Sequence, residues 1–311
     1  FSQTKYYNFP LIEGTKMVSM KNANTFVLSS NGLLANSIFS DKNKTIYNYT
    51  SLFITSLLLQ PITHEEGHRS VLTELNIGAI SQPIFDKNMV AKVTGVTDTT
   101  LKNLRDTNLP SYIRLHTAGL ESDFTYLNSL NSKLSFEEEE YKYIKGDILA
   151  RNLGVSFYYL TSFINRKFSL DEYKSPELER DIVGHDIWGM IRHINRPDME
   201  FHRYTTWDEL TSKEKKMANR VALFSLVNFL NHHYFSGNVM DNDYAQDQKL
   251  PFKQIDFTQF STIVFVVESL NVLKIETPKR LFIENKNFFI YKNDFISEFH
   301  YSIFQPPEIL M

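Results

Sequence analysis

Apolar residues spaced three and four apart predict helices over most of this chain. Residues 52–62 are strongly apolar, and Val71, Leu72 and Leu75 continue an apolar stripe beyond them. Positions at this spacing share one face of a helix, so the stretch predicts a largely buried amphipathic helix. Pro61 lacks a backbone donor, so the helix is expected to kink there or to begin just after it.

Further patterns complete the outline of the fold. Longer helical patterns occupy residues 137–166, 176–194 and 212–235, and residues 25–28 are strand-like. Residues 77–97 contain β-branched residues with Gly and Pro, which is typical of a hairpin. Residues 280–303 alternate apolar and polar side chains around a turn at 285–287, which predicts a second hairpin or edge strands.

These elements predict a mainly α fold of the α+β type. It consists of a helical domain with a small β-hairpin next to the helix at 52–75 and a β appendage near the C-terminus. The chain divides into two regions, residues 1–136 and 137–311. It contains no internal repeat, and no Gly/Ser linker lies between the two regions. We therefore expect the two regions to pack as one unit.

Composition narrows the possible functions. A chain of 311 residues with 42% hydrophobic and 14% aromatic residues is long and apolar enough for a sizeable core. The net charge of −3 and the lack of a basic stripe remove the long-range attraction that nucleic-acid binding requires, so no nucleic-acid partner is expected. Since the chain has no Cys, any metal must be held by His and carboxylate side chains.

The segment from His64 to His68 reads His-Glu-Glu-Gly-His, an H-E-x-x-H pattern. On a helix, side chains four residues apart lie on one face, so His64 and His68 can bind the same zinc ion. Glu65 lies beside them and can take a proton from a water molecule that the metal activates. Thr63 and Glu66 have the spacing of a capping box, which predicts that His64 lies in the first helical turn.

A third ligand is needed, because zinc in hydrolases usually holds three protein ligands and one water. Glu121, which begins a helical stretch through Leu127 and Leu130, is the best candidate. Asp123 and then His116 are the alternatives. If His116 is not a ligand, it is expected to stabilise the oxyanion or to fill a structural role.

The H-E-x-x-H segment resembles the zincin metallopeptidases. With Glu121, residues 52–125 are similar to the zincins whose third ligand is a Glu on a later helix. The resemblance implies a zinc-dependent hydrolase that cleaves a peptide or protein substrate. Glu65 would be its general base, and His116 an additional catalytic candidate. The remaining histidines, including His185 and His193, are interpreted as structural.

Two segments, 45–63 and 221–240, lack Asp, Glu, Lys and Arg over a length that could span a bilayer. The motif with its later Ala-Gly is also similar to the layout of membrane-embedded zinc proteases. Placing it in a membrane would, however, bring Glu66, Arg69 and Glu74 into or near hydrocarbon. We therefore expect both segments to be buried helices of a water-soluble or peripheral protein.

Two observations bear on the location of the protein. The chain starts at Phe1 without Met, which suggests removal of a signal peptide, and it is rich in Lys, Asn, Ile, Phe and Tyr, as proteins from AT-rich genomes are. They predict a bacterial cell-envelope protein, periplasmic or associated with the outer membrane. The alternative to an enzyme is a non-catalytic helical subunit of an outer-membrane transport or secretion complex, with a membrane protein as its partner.

Overall fold

The computed structural model describes Phe9, residues 20–38, 44–82, 91–135, 141–164 and 175–225, and the backbone of five strands between residues 255 and 299. Helices dominate this part of the chain, as predicted. They are α1 Met20–Ile38, α2 Lys44–Ile54, α3 Gln60–Glu74, α4 Asp98–Thr107, α5 Leu109–Ser135, α6 Tyr141–Ile164, α7 Asp186–Asn195 and α8 Ser212–Ser225.

Strands occur in two places; the first matches the hairpin predicted at 77–97, and the second begins before the range 280–303 in which strands were predicted. Strands β1 (Ile80–Gln82) and β2 (Lys92–Thr94) pair antiparallel, with Ile80 opposite Thr94, and contact α3. Near the C-terminus a five-stranded sheet has the order β3-β4-β5-β6-β7. Its strands are Ile255–Asp256, Val272–Glu276, Arg280–Glu284, Asn287–Lys292 and Phe295–Phe299; the first pair is parallel and the others are antiparallel.

The strand predicted at residues 25–28 is wrong, because these residues lie inside α1. Val27 and Leu28 are buried together with Met20 and Ala23, at the spacing of a helix face. A short apolar run looks alike in a strand and in a buried helix, and only the residues around it decide between them.

The helix predicted at 176–194 is also shorter than expected. A single 3-10 turn covers Glu177–Glu179, and the α-helix α7 begins only at Asp186. Between them the Asp181 carboxylate accepts hydrogen bonds from the backbone of Val93, Ile182 and Gly184. Gly184 also has a φ of 68°, a left-handed conformation that interrupts a helix.

The helix that carries the histidine motif is longer than the sequence pattern indicates. Helix α2 leads through a π-helical turn, Thr55–Leu59, directly into α3. In an α-helix the Pro61 ring would clash with the carbonyl four residues earlier, and the wider π turn lies at this point. The Thr63 hydroxyl donates back to the carbonyls of Leu59 and Gln60, so it does not cap the helix, and the capping-box prediction is wrong.

Helix α5 lies between the two helices that build the site. It packs against α3 on one side and against α7 on another. At the first contact a Cβ on Gly67 would lie 2.3 Å from the Ala118 carbonyl oxygen, so the glycine permits a close approach of the two helices. An apolar cluster around Trp188, Ile191 and Leu120 fills the second contact.

None of the helices in the described part of the chain combines the length and apolarity needed to cross a bilayer. The charge-free segment 45–63 forms most of α2, the π turn and the start of α3. Of the second such segment, residues 221–225 belong to α8, and residues 226–240 lie outside the described residues.

Candidate metal centre

His64 and His68 lie on one face of α3, and each is held through its Nδ1 atom. His64 Nδ1 is 2.8 Å from Asp123 Oδ2, and His68 Nδ1 is 2.7 Å from the carbonyl oxygen of Leu115. A carboxylate and a carbonyl can only accept, so both imidazoles carry a proton on Nδ1. When the rings are neutral, the lone pair of each is on Nε2 and is available to a metal.

Asp186 supplies a third group at the same place. Its Oδ2 atom lies 3.3 Å from His64 Nε2 and 3.4 Å from His68 Nε2. One ligand atom from each of the three residues lies within 4.8 Å of the other two, so the group could hold a metal ion. Asp186 is in the first turn of α7, where the helix dipole favours a negative charge.

Two further features concern the atoms that would face a metal ion. Asp186 Oδ2 is buried and accepts no hydrogen bond, although a buried carboxylate oxygen normally has a partner. Gly119 faces the two rings, and a Cβ there would lie 2.3 Å from His64 Nε2 and 2.5 Å from His68 Nε2. Both distances are far inside a van der Waals contact, so the absence of a side chain at Gly119 is what allows the two Nε2 atoms to lie against α5.

Electrostatics favour a cation at this point. Burial lowers the pKa of His64, but the charge and hydrogen bond of Asp123 and the charge of Asp186 together raise it well above its usual value. The pKa of His68 is also raised, because Asp186 outweighs the effect of burial. Burial raises the pKa of Asp186, but His68 and His64 hold it well below the usual range. Metal binding would therefore displace protons from the imidazoles.

Glu65, the candidate general base of the sequence analysis, interacts electrostatically with His64, His68 and Asp186. Its side chain is buried, and burial raises the pKa of its carboxyl to about 7. The positive charges of His64 and His68 oppose this shift, while Asp181 and Asp186 add to it. A carboxyl with a pKa near neutrality can both accept and return a proton at neutral pH.

Tyr158 and His185 form the less buried edge of the site together with His64. The Tyr158 hydroxyl accepts a hydrogen bond from the Asp186 backbone N–H at 3.2 Å, and its ring lies 5.6 Å from the His64 ring. His185 stacks on Trp188, with ring centroids 3.9 Å apart.

The structure does not bring Glu121 to the histidines. Its carboxylate accepts two hydrogen bonds from Arg114, at 3.0 and 2.8 Å, and its side chain is 40% exposed. Gly119 faces the site, and a residue two positions further along a helix points to the other side. Among the described residues, the group that could hold a metal ion therefore contains Asp186 and does not contain the predicted Glu121.

His116 also lies apart from the ligand group. It is fully buried, stacks on His193 with centroids 5.3 Å apart, and meets Tyr112 edge-on at 5.2 Å. Burial lowers the pKa of His116 to about 3, with Asp186 opposing and His68 and Arg192 reinforcing the shift. The ring is therefore neutral and packed between α5 and α7.

Sequence reasoning missed Asp186 and Tyr158. Asp186 begins an amphipathic helix, and a carboxylate in that position usually interacts only with the helix dipole. Tyr158 lies in an apolar stretch of α6, where a Tyr is ordinarily a core residue. Asp123, an alternative ligand in the sequence analysis, is instead the hydrogen-bond partner of His64.

Comparisons of this chain with models of known protein families, with curated proteins and with solved structures find no match.

Proposed function

We propose that this protein is a zinc-dependent hydrolase of the metallopeptidase type. The observation that carries the proposal is the buried group of His64, His68 and Asp186 with the Glu65 carboxyl beside it. Two imidazoles and one carboxylate leave a fourth tetrahedral position open, as catalytic zinc sites require. Zinc is favoured over calcium or magnesium because nitrogen ligands suit it and those two ions prefer oxygen.

In this hydrolase each residue of the site would have its own role. His64, His68 and Asp186 hold the metal, which would polarise a substrate carbonyl and make water more acidic. Glu65 accepts a proton from the attacking water as its oxygen bonds to the carbonyl carbon. When the carbon–nitrogen bond breaks, Glu65 passes that proton to the leaving amine. Tyr158 and His185, at the open edge, are placed to contact the substrate.

A peptide or protein substrate and a location in the bacterial cell envelope belong to the same proposal. They depend on the reactivity expected of the site and on the sequence features noted above. Hydrolysis of a peptide bond releases an amine that needs a proton, and a general base that has accepted a proton from water can supply it.

Metal analysis and a substitution at Glu65 test the proposal. Purified protein should contain about one zinc per chain, and Asp186→Asn should lose most of it, whereas Glu121→Gln should keep it. Glu65→Gln should keep both fold and zinc but cleave a peptide library on the order of a hundredfold more slowly. Wild-type protein without zinc after repletion, or undiminished cleavage by Glu65→Gln, would contradict the enzyme.

The second candidate is a non-catalytic helical subunit that binds a membrane protein. Exposed apolar side chains on α2, namely Ile46, Tyr49 and Phe53, favour it, since such side chains are common at protein interfaces. Co-purification with a membrane complex, lost on Phe53→Ser but unaffected by Glu65→Gln, would select this function over the hydrolase.

A further inference from the structure

Arg151 differs from the other fully buried arginines of the described residues in what it contacts. Arg203 and Arg192 donate to several backbone carbonyls and so join segments of the chain. Arg151, in α6, has only side-chain partners. It donates to the Thr63 hydroxyl at 2.5 Å and forms ion pairs with Asp123 and Asp147.

These contacts lead directly to a metal ligand. Asp123 uses Oδ2 to accept the Nδ1 proton of His64, while its buried Oδ1 accepts no hydrogen bond. The Arg151 Nη1 atom lies 3.6 Å from that Oδ1. The same nitrogen binds Thr63, the residue that precedes His64 in α3. One guanidinium therefore contacts both the carboxylate that orients His64 and the backbone neighbour of His64.

The Arg151 side chain is itself held in position by Tyr126 and Asp147. Its guanidinium carbon lies 3.7 Å from the centroid of the Tyr126 ring, a cation–π contact, and its Nε is 3.5 Å from Asp147 Oδ1. Asp147 is fully buried and accepts hydrogen bonds from Tyr126, Asn31 and Thr55. Thr55 is the first residue of the π turn, so the arrangement also ties Arg151 to the irregular part of the motif helix.

We propose that Arg151 is a positioning residue of the metal centre, which holds the Asp123 carboxylate against His64, and that Asp147 and Tyr126 hold Arg151. The proposal rests on the proposed function, because it assigns Arg151 a role at that same site. Its effect is to keep the Nε2 lone pair of His64 directed at the metal position between His68 and Asp186. Groups that orient a ligating imidazole typically change metal affinity ten- to a hundredfold.

Two isosteric or charge-conserving variants, Arg151→Lys and Asp147→Asn, test the proposal. The matched control is Arg203→Lys, which alters an equally buried arginine whose partners are Asp98 and backbone carbonyls. Zinc affinity is measured by competition with a chromophoric chelator. Proton NMR of the metal-free protein gives the exchange rate of the His64 Nδ1 proton, which a merely structural arginine would not influence.

We expect zinc binding to weaken about tenfold in Arg151→Lys and in Asp147→Asn, and more in Asp123→Asn. Exchange of the His64 Nδ1 proton should accelerate at least tenfold in both variants and remain unchanged in Arg203→Lys. If both variants match Arg203→Lys in affinity and exchange, the proposal is overturned. If Arg151→Lys does not fold, the isosteric Asp147→Asn decides alone.

The two proposals fail in different ways. A wild-type protein that binds no zinc removes the hydrolase, while the exchange rate in metal-free protein still decides whether Arg151 positions His64. Normal zinc binding in every variant, with an unchanged exchange rate, leaves the hydrolase intact and removes the role of Arg151.

Discussion

Replacing Gly119 by Ala should abolish metal binding without removing a ligand. The added methyl carbon would lie 2.3 Å from His64 Nε2 and 2.5 Å from His68 Nε2, so it would push both ligand atoms out of position. To restore an ordinary contact of about 3.4 Å, both rings would have to retreat by about 1 Å. Zinc sites tolerate deviations of only about 0.2 Å in their bond lengths.

The imidazole rings of His64 and His68 have little freedom to move away, because the Nδ1 atom of each ring is hydrogen-bonded on the opposite side. Asp123 holds His64, and the Leu115 carbonyl holds His68. We expect zinc affinity to fall on the order of a hundredfold or more, which corresponds to about 2.7 kcal/mol. Overpacking should cost about 1–3 kcal/mol of stability, which the better helix propensity of alanine offsets by roughly 0.5–1 kcal/mol, so the metal-free variant should still fold.

Equilibrium dialysis with zinc and a competing chelator measures the effect, and circular dichroism reports on the fold. Gly78→Ala is the control, because a Cβ there meets no atom within 4 Å. It should bind zinc as the wild type does. If folded Gly119→Ala protein binds zinc with wild-type affinity, the Nε2 atoms of His64 and His68 do not hold the metal.

Two further predictions concern stability. His116 has its pKa lowered to about 3, whereas the unfolded chain would have a value of about 6.5, so the unfolded state binds more protons between these pH values. The contribution of His116 to the free energy of unfolding is therefore complete above pH 6.5 and should fall by about 2 kcal/mol between pH 6.5 and 5. In urea unfolding, His116→Asn should lose less stability over this pH range than the wild type. An identical pH slope in the two proteins would contradict the assignment. Gly67→Ala should overpack against the Ala118 carbonyl and lower the melting temperature, at a cost of about 1–3 kcal/mol of stability. The folded protein should keep its zinc stoichiometry. An unchanged Tm would show that α3 and α5 are less tightly apposed.

The placement of His64 and His68 could be predicted from the sequence because it depends on local helix geometry alone. The four-residue spacing of His64 and His68 puts both on one face of any helix, whatever surrounds it. Glu65 follows from the same spacing. The mainly helical fold, the first group of strands and part of the second were likewise predicted from local patterns of apolar residues.

The carboxylate of Asp186, which lies beside His64 and His68, could not be predicted in this way, because its position depends on how helices pack. Which face of α5 meets α3 is decided by the close contact at Gly67, and that face presents Gly119, with Glu121 pointing elsewhere. Asp186 arrives through the packing of α7 on α5, far from the motif along the chain. Nothing in the residues around Asp186 distinguishes it from an ordinary carboxylate in the first turn of a helix.

The ligands come from two helices that are distant in sequence, so a metal at this centre would also act as a crosslink. It would join α3 to the first turn of α7 and thereby close the long chain segment between His68 and Asp186. A ligand that binds only the folded state, at a hundred times its dissociation constant, adds about 2.7 kcal/mol to the free energy of unfolding. Chelation should then free the start of α7, while the apolar cluster around Trp188 still anchors the rest of that helix.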